Sequence, residues 1–116
     1  MTRIEICTNG YQSVINAQGN GAHCAELCES LEVGGVTPSY GTLKKVAADM
    51  KIPVRVLIRP RSGNYIYNEA ELEMMCLDIQ LVKQLGYEGV VIGALNENGD
   101  LDVDKIKAMM KAGEGM

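Results

Sequence analysis

A chain of 116 residues is long enough for one domain with a real core, but it contains no Phe or Trp, so Val, Ile, Leu, Ala and seven Met must fill that core. Eleven basic residues against fifteen acidic ones give a net charge of −4, which argues against a nucleic-acid or anionic-membrane surface. No apolar run approaches the ~18 residues of a membrane span. Met1-Thr2-Arg3 runs straight into a strand-like segment without a leader pattern, and cysteines at 7, 24, 28 and 76 follow no secreted disulfide framework. The economical setting is a reducing cytoplasm with free thiols.

Taken in order, Arg3 to Cys7 alternates, with Ile4 and Ile6 on one face and Glu5 and Cys7 on the other, as a half-buried strand does. Asn9-Gly10 breaks it, and Tyr11 to Gln18 reads as a short helix with Val14, Ile15 and Ala17 inward, ended by Gly19 and Gly21. In the next segment Cys24, Leu27, Cys28 and Leu31 have helical spacing, whereas a strand would put Cys24, Glu26 and Cys28 on one face and Ala25 and Leu27 on the other. Gly34-Gly35 allows a tight path, and Thr37 is expected to cap a helix with Pro38 at its first position and Leu43, Val46, Ala47 and Met50 inward.

The β-branched run Val54 to Ile58 reads as a buried strand ended by Arg59-Pro60-Arg61 and Gly63. Asn68 with Glu71 forms a capping box, and the helix it opens carries Leu72, Met75, Cys76, Ile79 and Val82 on one stripe up to Gly86. Gly89 to Ile92 is a further strand, and Val103, Ile106, Met109 and Met110 mark a last helix that frays at Gly113 and Gly115. Between them, Asn96 to Asp100 has the polarity of a calcium loop but offers Ala94 and Lys105 at the two end positions, so it is a turn.

Glu26-Leu27-Cys28, Gly34-Gly35, Thr37-Pro38-Ser39 and Ile58-Arg59-Pro60-Arg61 resemble the signature of the CutC family of copper homeostasis proteins. Ile4-Glu5-Ile6-Cys7 is similar to that family's first strand and Gly89 to Leu95 to its fourth. The resemblance runs in order along nearly the whole chain. It implies that residues 24–28 are a strand, and that residues 1–116 form a single α/β half-barrel domain. That domain is a parallel (βα) repeat of about four units, half of a TIM-type (β/α)8 barrel whose usual size is ~250 residues. Four parallel strands cannot close a barrel, so strands one and four are expected to be open edges that pair between copies, most simply in a symmetric dimer. A fragment of a longer product is the competing account. His23-Cys24 departs from the Asp-Arg that the family usually has there.

Ligands of parallel βα arrays bind beyond the carboxyl ends of the strands. Strand alternation puts Glu5, Cys7, Glu26, Cys28, Leu57 and Arg59 on one face. Cys7 and Cys28 would end adjacent strands ~4.8 Å apart. Soft thiolates select Cu(I), and the family resemblance implies these two positions as copper ligands; a cysteine is otherwise a small buried hydrophobe. Cys24 and Cys28 would lie ~13 Å apart along a strand, too far for one ion. His23 reads as a surface residue and Cys76 as core.

A second constellation is anionic in its preference: Arg59, Arg61 and the N–H groups opening the Thr37-Pro38-Ser39 helix suit phosphate or carboxylate. An internal ion pair of Arg59 with Glu5 or Glu26 ranks ahead of that ligand role. The leading functional reading is a cytoplasmic copper homeostasis protein that binds Cu(I) without turnover. The alternative is a TIM-barrel-type enzyme or binding module for a small phosphorylated or carboxylated ligand, with Glu5 or Glu26 as acid–base. It ranks second because no nucleophile–base pair can be named. An assembly-competent fragment without activity of its own comes third.

Overall fold

The computed structural model describes residues 1–116 as four strands and four α-helices in strict alternation. Strand β1 (Glu5–Asn9) is followed by α1 (Tyr11–Gly19), β2 (Cys24–Cys28), a 3₁₀ turn at Leu31–Val33, α2 (Tyr40–Asp49), β3 (Val54–Leu57), α3 (Glu69–Gln84), β4 (Gly89–Val91) and α4 (Val103–Ala112). The strands form one parallel sheet in the order β1-β2-β3-β4. It is an α/β (βα)-repeat, half of a TIM-type barrel.

Segment 24–28 is a strand, against its helical spacing. It is hydrogen-bonded on both sides, Glu5 facing Cys24 and Asn9 facing Cys28 across one edge, and Ala25 facing Val54 across the other. Ala25 and Leu27 point into the layer between sheet and helices and are fully buried there with Val56, Val46 and Ile79. Strand pairing prevails because β2 lies between two strands, paired with β1 along its whole length and with β3 over Ala25–Leu27, so its backbone groups are met without helical bonds.

The helix ends follow local chemistry. In α3, the Asn68 side chain accepts from the Glu71 N–H at 2.8 Å and the Glu71 carboxylate accepts from the Asn68 N–H at 3.0 Å, as the capping box requires. In α2 the cap is Ser39, not Thr37. The Ser39 Oγ accepts from the Thr42 N–H at 3.2 Å and Tyr40 is the first helical residue. Thr37 is drawn away to the end of β3, where its Oγ1 accepts from the Arg59 N–H at 2.7 Å and its own N–H donates to the Arg59 carbonyl at 2.9 Å. In α4, Asp102 caps the helix and Met109 is buried, while Val103 and Met110 of the expected apolar stripe are exposed. Residues 96–100 are the expected turn, with the Asn96 N–H donating to the Asp100 carbonyl at 2.8 Å.

Both sheet edges are open. Ile6 on β1 and Ile4 just before it are 38% and 47% exposed and border a groove with Ala17 and Ala22. At the other edge Val90 and Ile92 border a groove with Met109, Met110 and Met116.

The core is closed from the helix side by Tyr87, whose buried hydroxyl donates to the Leu43 carbonyl at 2.6 Å and so ties the approach to β4 to α2. Removing that hydroxyl deletes one buried hydrogen bond, worth about 0.5–1.5 kcal/mol, while the Leu43 carbonyl keeps its place in the ladder of α2. Tyr87→Phe is therefore expected to lower the urea midpoint with an unchanged slope; an unaltered midpoint would mean that water replaces the bond.

Candidate metal centre

The inner face of the sheet, opposite the helices, carries Glu5 and Cys7 on β1, Cys24, Glu26 and Cys28 on β2, and Arg55 and Leu57 on β3, as alternation requires. Cys7 lies directly opposite Glu26, and Cys28 opposite Asn9, so the two cysteines are diagonal neighbours offset by two residues. Their sulfurs are nevertheless 3.9 Å apart. The Cys28 thiol lies 3.6 Å from Glu26 Oε2. One ligand atom from each of Cys7, Glu26 and Cys28 lies within 4.8 Å of the others.

This donor set fits a thiophilic ion. Metal–sulfur bonds of ~2.3 Å allow two sulfurs on one ion to stand up to ~4.6 Å apart, and 3.9 Å falls inside that span. Cys7 is exposed and Cys28 buried, so the cluster has an open side and a closed side. Burial pushes the Cys28 thiol far above the ordinary thiol range, and the negative charge of Glu26 and the nearby Cys7 push it the same way. Cys28 therefore holds a proton at neutral pH. Cys24, also buried, points its thiol at Glu5 Oε2 at 3.6 Å and takes no part in the cluster. Cys76 packs against the core from α3, and burial raises its thiol pKa.

The expected pairing of Arg59 with Glu5 or Glu26 does not occur. Glu5 is held by Arg55 at 2.6 Å, and Arg55 also reaches Glu88 at 3.1 Å. Strand alternation alone places Arg55 on the face of Glu5, so the sequence carried that signal. Arg59 instead turns toward the loops and donates to the carbonyls of Val33, Gly35 and Gly63. Arg61 pairs with Glu71, stacks over Tyr67 at 5.0 Å, and donates to the carbonyls of Asn64 and Ile66.

The N-terminus of α2 is likewise engaged from within. Glu29 accepts from the Ser39 N–H at 3.3 Å and from the Thr42 hydroxyl, so the chain's own carboxylate stands where an external anion was expected. The cause is an antiparallel bridge between Glu29 and Val36, which folds the loop back beside the helix. No local sequence pattern marks that bridge.

Comparison with known proteins gives a consistent result. The model of the CutC family matches residues 2–116. The family protein CutC of Histophilus somni (strain 2336) is 47% identical over 113 residues, covering 97% of this chain and 46% of that protein. The family protein CutC of Bacteroides fragilis (strain YCH46) is 44% identical over 114 residues, covering 97% and 45% respectively. The chain thus spans about half the length of the curated relatives it matches. Among solved structures, a protein provisionally named copper homeostasis protein CutC, from Streptococcus agalactiae, superposes with a TM-score of 0.91 at 34% identity, over 100% of this chain and 57% of that one. A protein provisionally named a phosphonomutase, from Burkholderia cenocepacia J2315, superposes with a TM-score of 0.63 at 18% identity, over 96% of this chain and 46% of that one, and shares the fold alone.

The raised Cys28 pKa has a consequence for stability. Below the unfolded thiol value of ~8.5 the folded state gains from keeping this proton, and the gain is lost as pH rises above that value. The wild-type urea midpoint is expected to fall between pH ~7 and pH ~9.5 by more than that of Cys28→Ser. An equal fall in both proteins would assign the alkaline loss to other groups.

Proposed function

The chain belongs to the CutC family, and we propose that it binds Cu(I) through the thiolates of Cys7 and Cys28, in a homeostatic and non-catalytic role in the cytoplasm. The observation that carries this reading is the 3.9 Å separation of two sulfurs at the mouth of a parallel βα sheet, one reachable from solvent and one buried. Two soft donors discriminate against Mg and Ca and favour Cu(I) among the available ions. Copper here is cargo, and the chain's own contribution is a pair of sulfurs at fixed spacing with a carboxylate beside them. Glu26 Oε2 stands 3.6 Å from the Cys28 sulfur, where it receives the hydrogen bond of the thiol and gives the departing proton a first acceptor. The four free cysteines suit a reducing compartment. No helix is long and apolar enough to cross a membrane.

We also infer that two copies associate through the free edges of β1 and β4. A two-fold axis along the barrel direction would bring β4 of one copy beside β1 of the other with the strands still parallel. The half-exposed Ile4 and Ile6 would then meet the Val90, Ile92 and Met110 groove. Apolar residues on the helix-facing side of both edges, with unpaired backbone groups along them, support this partner. Light scattering at micromolar concentration should give twice the 12.6 kDa chain mass, reduced to one chain by Ile6→Glu; a wild-type monomer would overturn the pairing.

The copper reading is tested by an anaerobic Cu(I) titration against a competing chelator. One ion per chain is expected, with binding lost in a Cys7→Ser/Cys28→Ser variant. Because binding displaces the Cys28 proton, affinity should rise about tenfold per pH unit from that group alone. Binding that survives the double substitution, or that ignores pH, would remove the thiolate site.

A further inference from the structure

Arg59 is a buried cation without a counter-charge. Only 5% of the residue is exposed, and none of the chain's ion pairs includes it. Its guanidinium has five N–H donors. Nη1 donates to the carbonyls of Val33 at 2.9 Å and Gly35 at 2.7 Å, and Nη2 donates to the carbonyl of Gly63 at 3.0 Å. Nε is buried and has no partner. One donor on Nε and one on Nη2 are therefore left over. Carbonyl dipoles satisfy individual donors but do not cancel a charge, and a charge held out of water is disfavoured until something neutralises it.

Glu5 is committed to Arg55, Glu29 to the start of α2 and Glu71 to Arg61, and Glu32, beside Val33, is exposed and forms no ion pair with Arg59. Arg59 lines a cavity of about 220 Å³ at the carboxyl ends of β3 and β4, together with Gly34, Leu57, Tyr65, Tyr67 and Gly93. The Tyr65 ring covers the guanidinium with its centroid 5.1 Å away. At Gly93 no atom lies within 4 Å of where a Cβ would stand, so a side chain there would meet open space.

We propose that this cavity binds a small oxyanion, a carboxylate or a phosphate, anchored by the charge of the Arg59 guanidinium and its leftover Nη2 donor, with Nε, itself closed to solvent, joining only as the lining gives way to the ion. The guanidinium fork matches the paired oxygens of either group, and the cation supplies the charge that the chain itself leaves unbalanced. The volume lies below the ~300 Å³ at which pockets begin to enclose drug-sized molecules, so the site takes one anionic group with few further atoms rather than a nucleotide. It is separate from the thiol cluster and does not depend on copper: none of Cys7, Glu26 and Cys28 lines it.

The test is an amide and arginine Nε–H NMR titration of the 116-residue chain with inorganic phosphate and, separately, with acetate, chloride holding the ionic strength constant. Saturable shifts at Arg59 Nε–H and at the Gly34, Gly63 and Gly93 amides are expected for at least one anion, and the tighter one names the class. Arg59→Lys keeps the charge but loses the fork, and should weaken binding if it folds. Gly93→Leu adds bulk at the rim of the cavity without removing any hydrogen bond of Arg59, and should weaken binding at least about tenfold while the spectrum stays dispersed. Shifts that never saturate, that fall only on surface lysines, or that are unchanged in Gly93→Leu would overturn the site.

Discussion

The mouth of the sheet depends on the hydrogen bonds of Arg59. Its guanidinium donates to Val33, Gly35 and Gly63, its N–H donates to Thr37 Oγ1, and its carbonyl accepts from the Thr37 N–H. One residue thereby ties the loop after β2 to the loop after β3. A lysine could not substitute, because its ammonium is a compact charge without the planar spread of donors that reaches three carbonyls. The clamp also explains the double glycine. Gly34 and Gly35 both have positive φ, and a Cβ at Gly34 would stand 3.1 Å from Arg59 Nη1. A Cβ at Gly35 would stand 2.9 Å from Leu57 Cδ2 and 3.5 Å from the Cys28 Cβ. The same loop thus runs beside the arginine on one side and the buried cysteine on the other, in a left-handed backbone conformation that favours glycine at both positions, and a side chain at either would have to displace Arg59 or Leu57.

The inner face divides along its length. Toward the amino ends of the strands, Glu5, Arg55 and Glu88 form a network that is more than a third exposed, and such pairs contribute little to stability. Toward the carboxyl ends the groups are fewer and more buried. There Glu26 has two opposed effects on Cys28: its charge raises the affinity of the thiol for a proton, and the same charge favours any cation that replaces the proton. The Cys28 thiol therefore keeps its proton unless a cation displaces it, and a cation that does so must compete for sulfur, which soft metals do better than hard ones.

Much of this was legible in the sequence because it follows from period and parity. Alternation placed Glu5, Cys7, Glu26 and Cys28 on one face, Asn68 with Glu71 gave the start of α3, and the repeat of strand and helix gave the parallel sheet. What failed was set by contacts between loops. Thr37 has the chemistry of a cap and is taken by Arg59 instead, leaving Ser39 to cap α2. Arg59 shares strand parity with Glu5 and Glu26, yet it lies past the end of β3, where the chain is free to turn its side chain toward carbonyls. The Glu29–Val36 bridge that fills the helix end depends on a fold-back across six intervening residues, and no spacing rule reports such a closure.

The register between β1 and β2 decides which chemistry the two thiols support. With Cys7 opposite Glu26 and Cys28 opposite Asn9, a strand spacing of ~4.8 Å and a two-residue rise of ~6.6 Å put their Cα atoms ~8 Å apart. A disulfide needs Cα atoms within ~7 Å, so closing one would require the strands to shift. A metal ion, by contrast, adds two bond lengths between the sulfurs and tolerates the diagonal. Sliding β1 by two residues would set the cysteines face to face and favour oxidation. That slide is opposed by the buried Thr8, whose hydroxyl donates to the Glu26 carbonyl at 2.7 Å, and by the Gly10 N–H, which donates to the Cys28 carbonyl at 2.8 Å. Both bonds would be lost together with the ladder between them. The strand pairing therefore holds the sulfurs close enough to share an ion and keeps the backbones too far apart to form a disulfide.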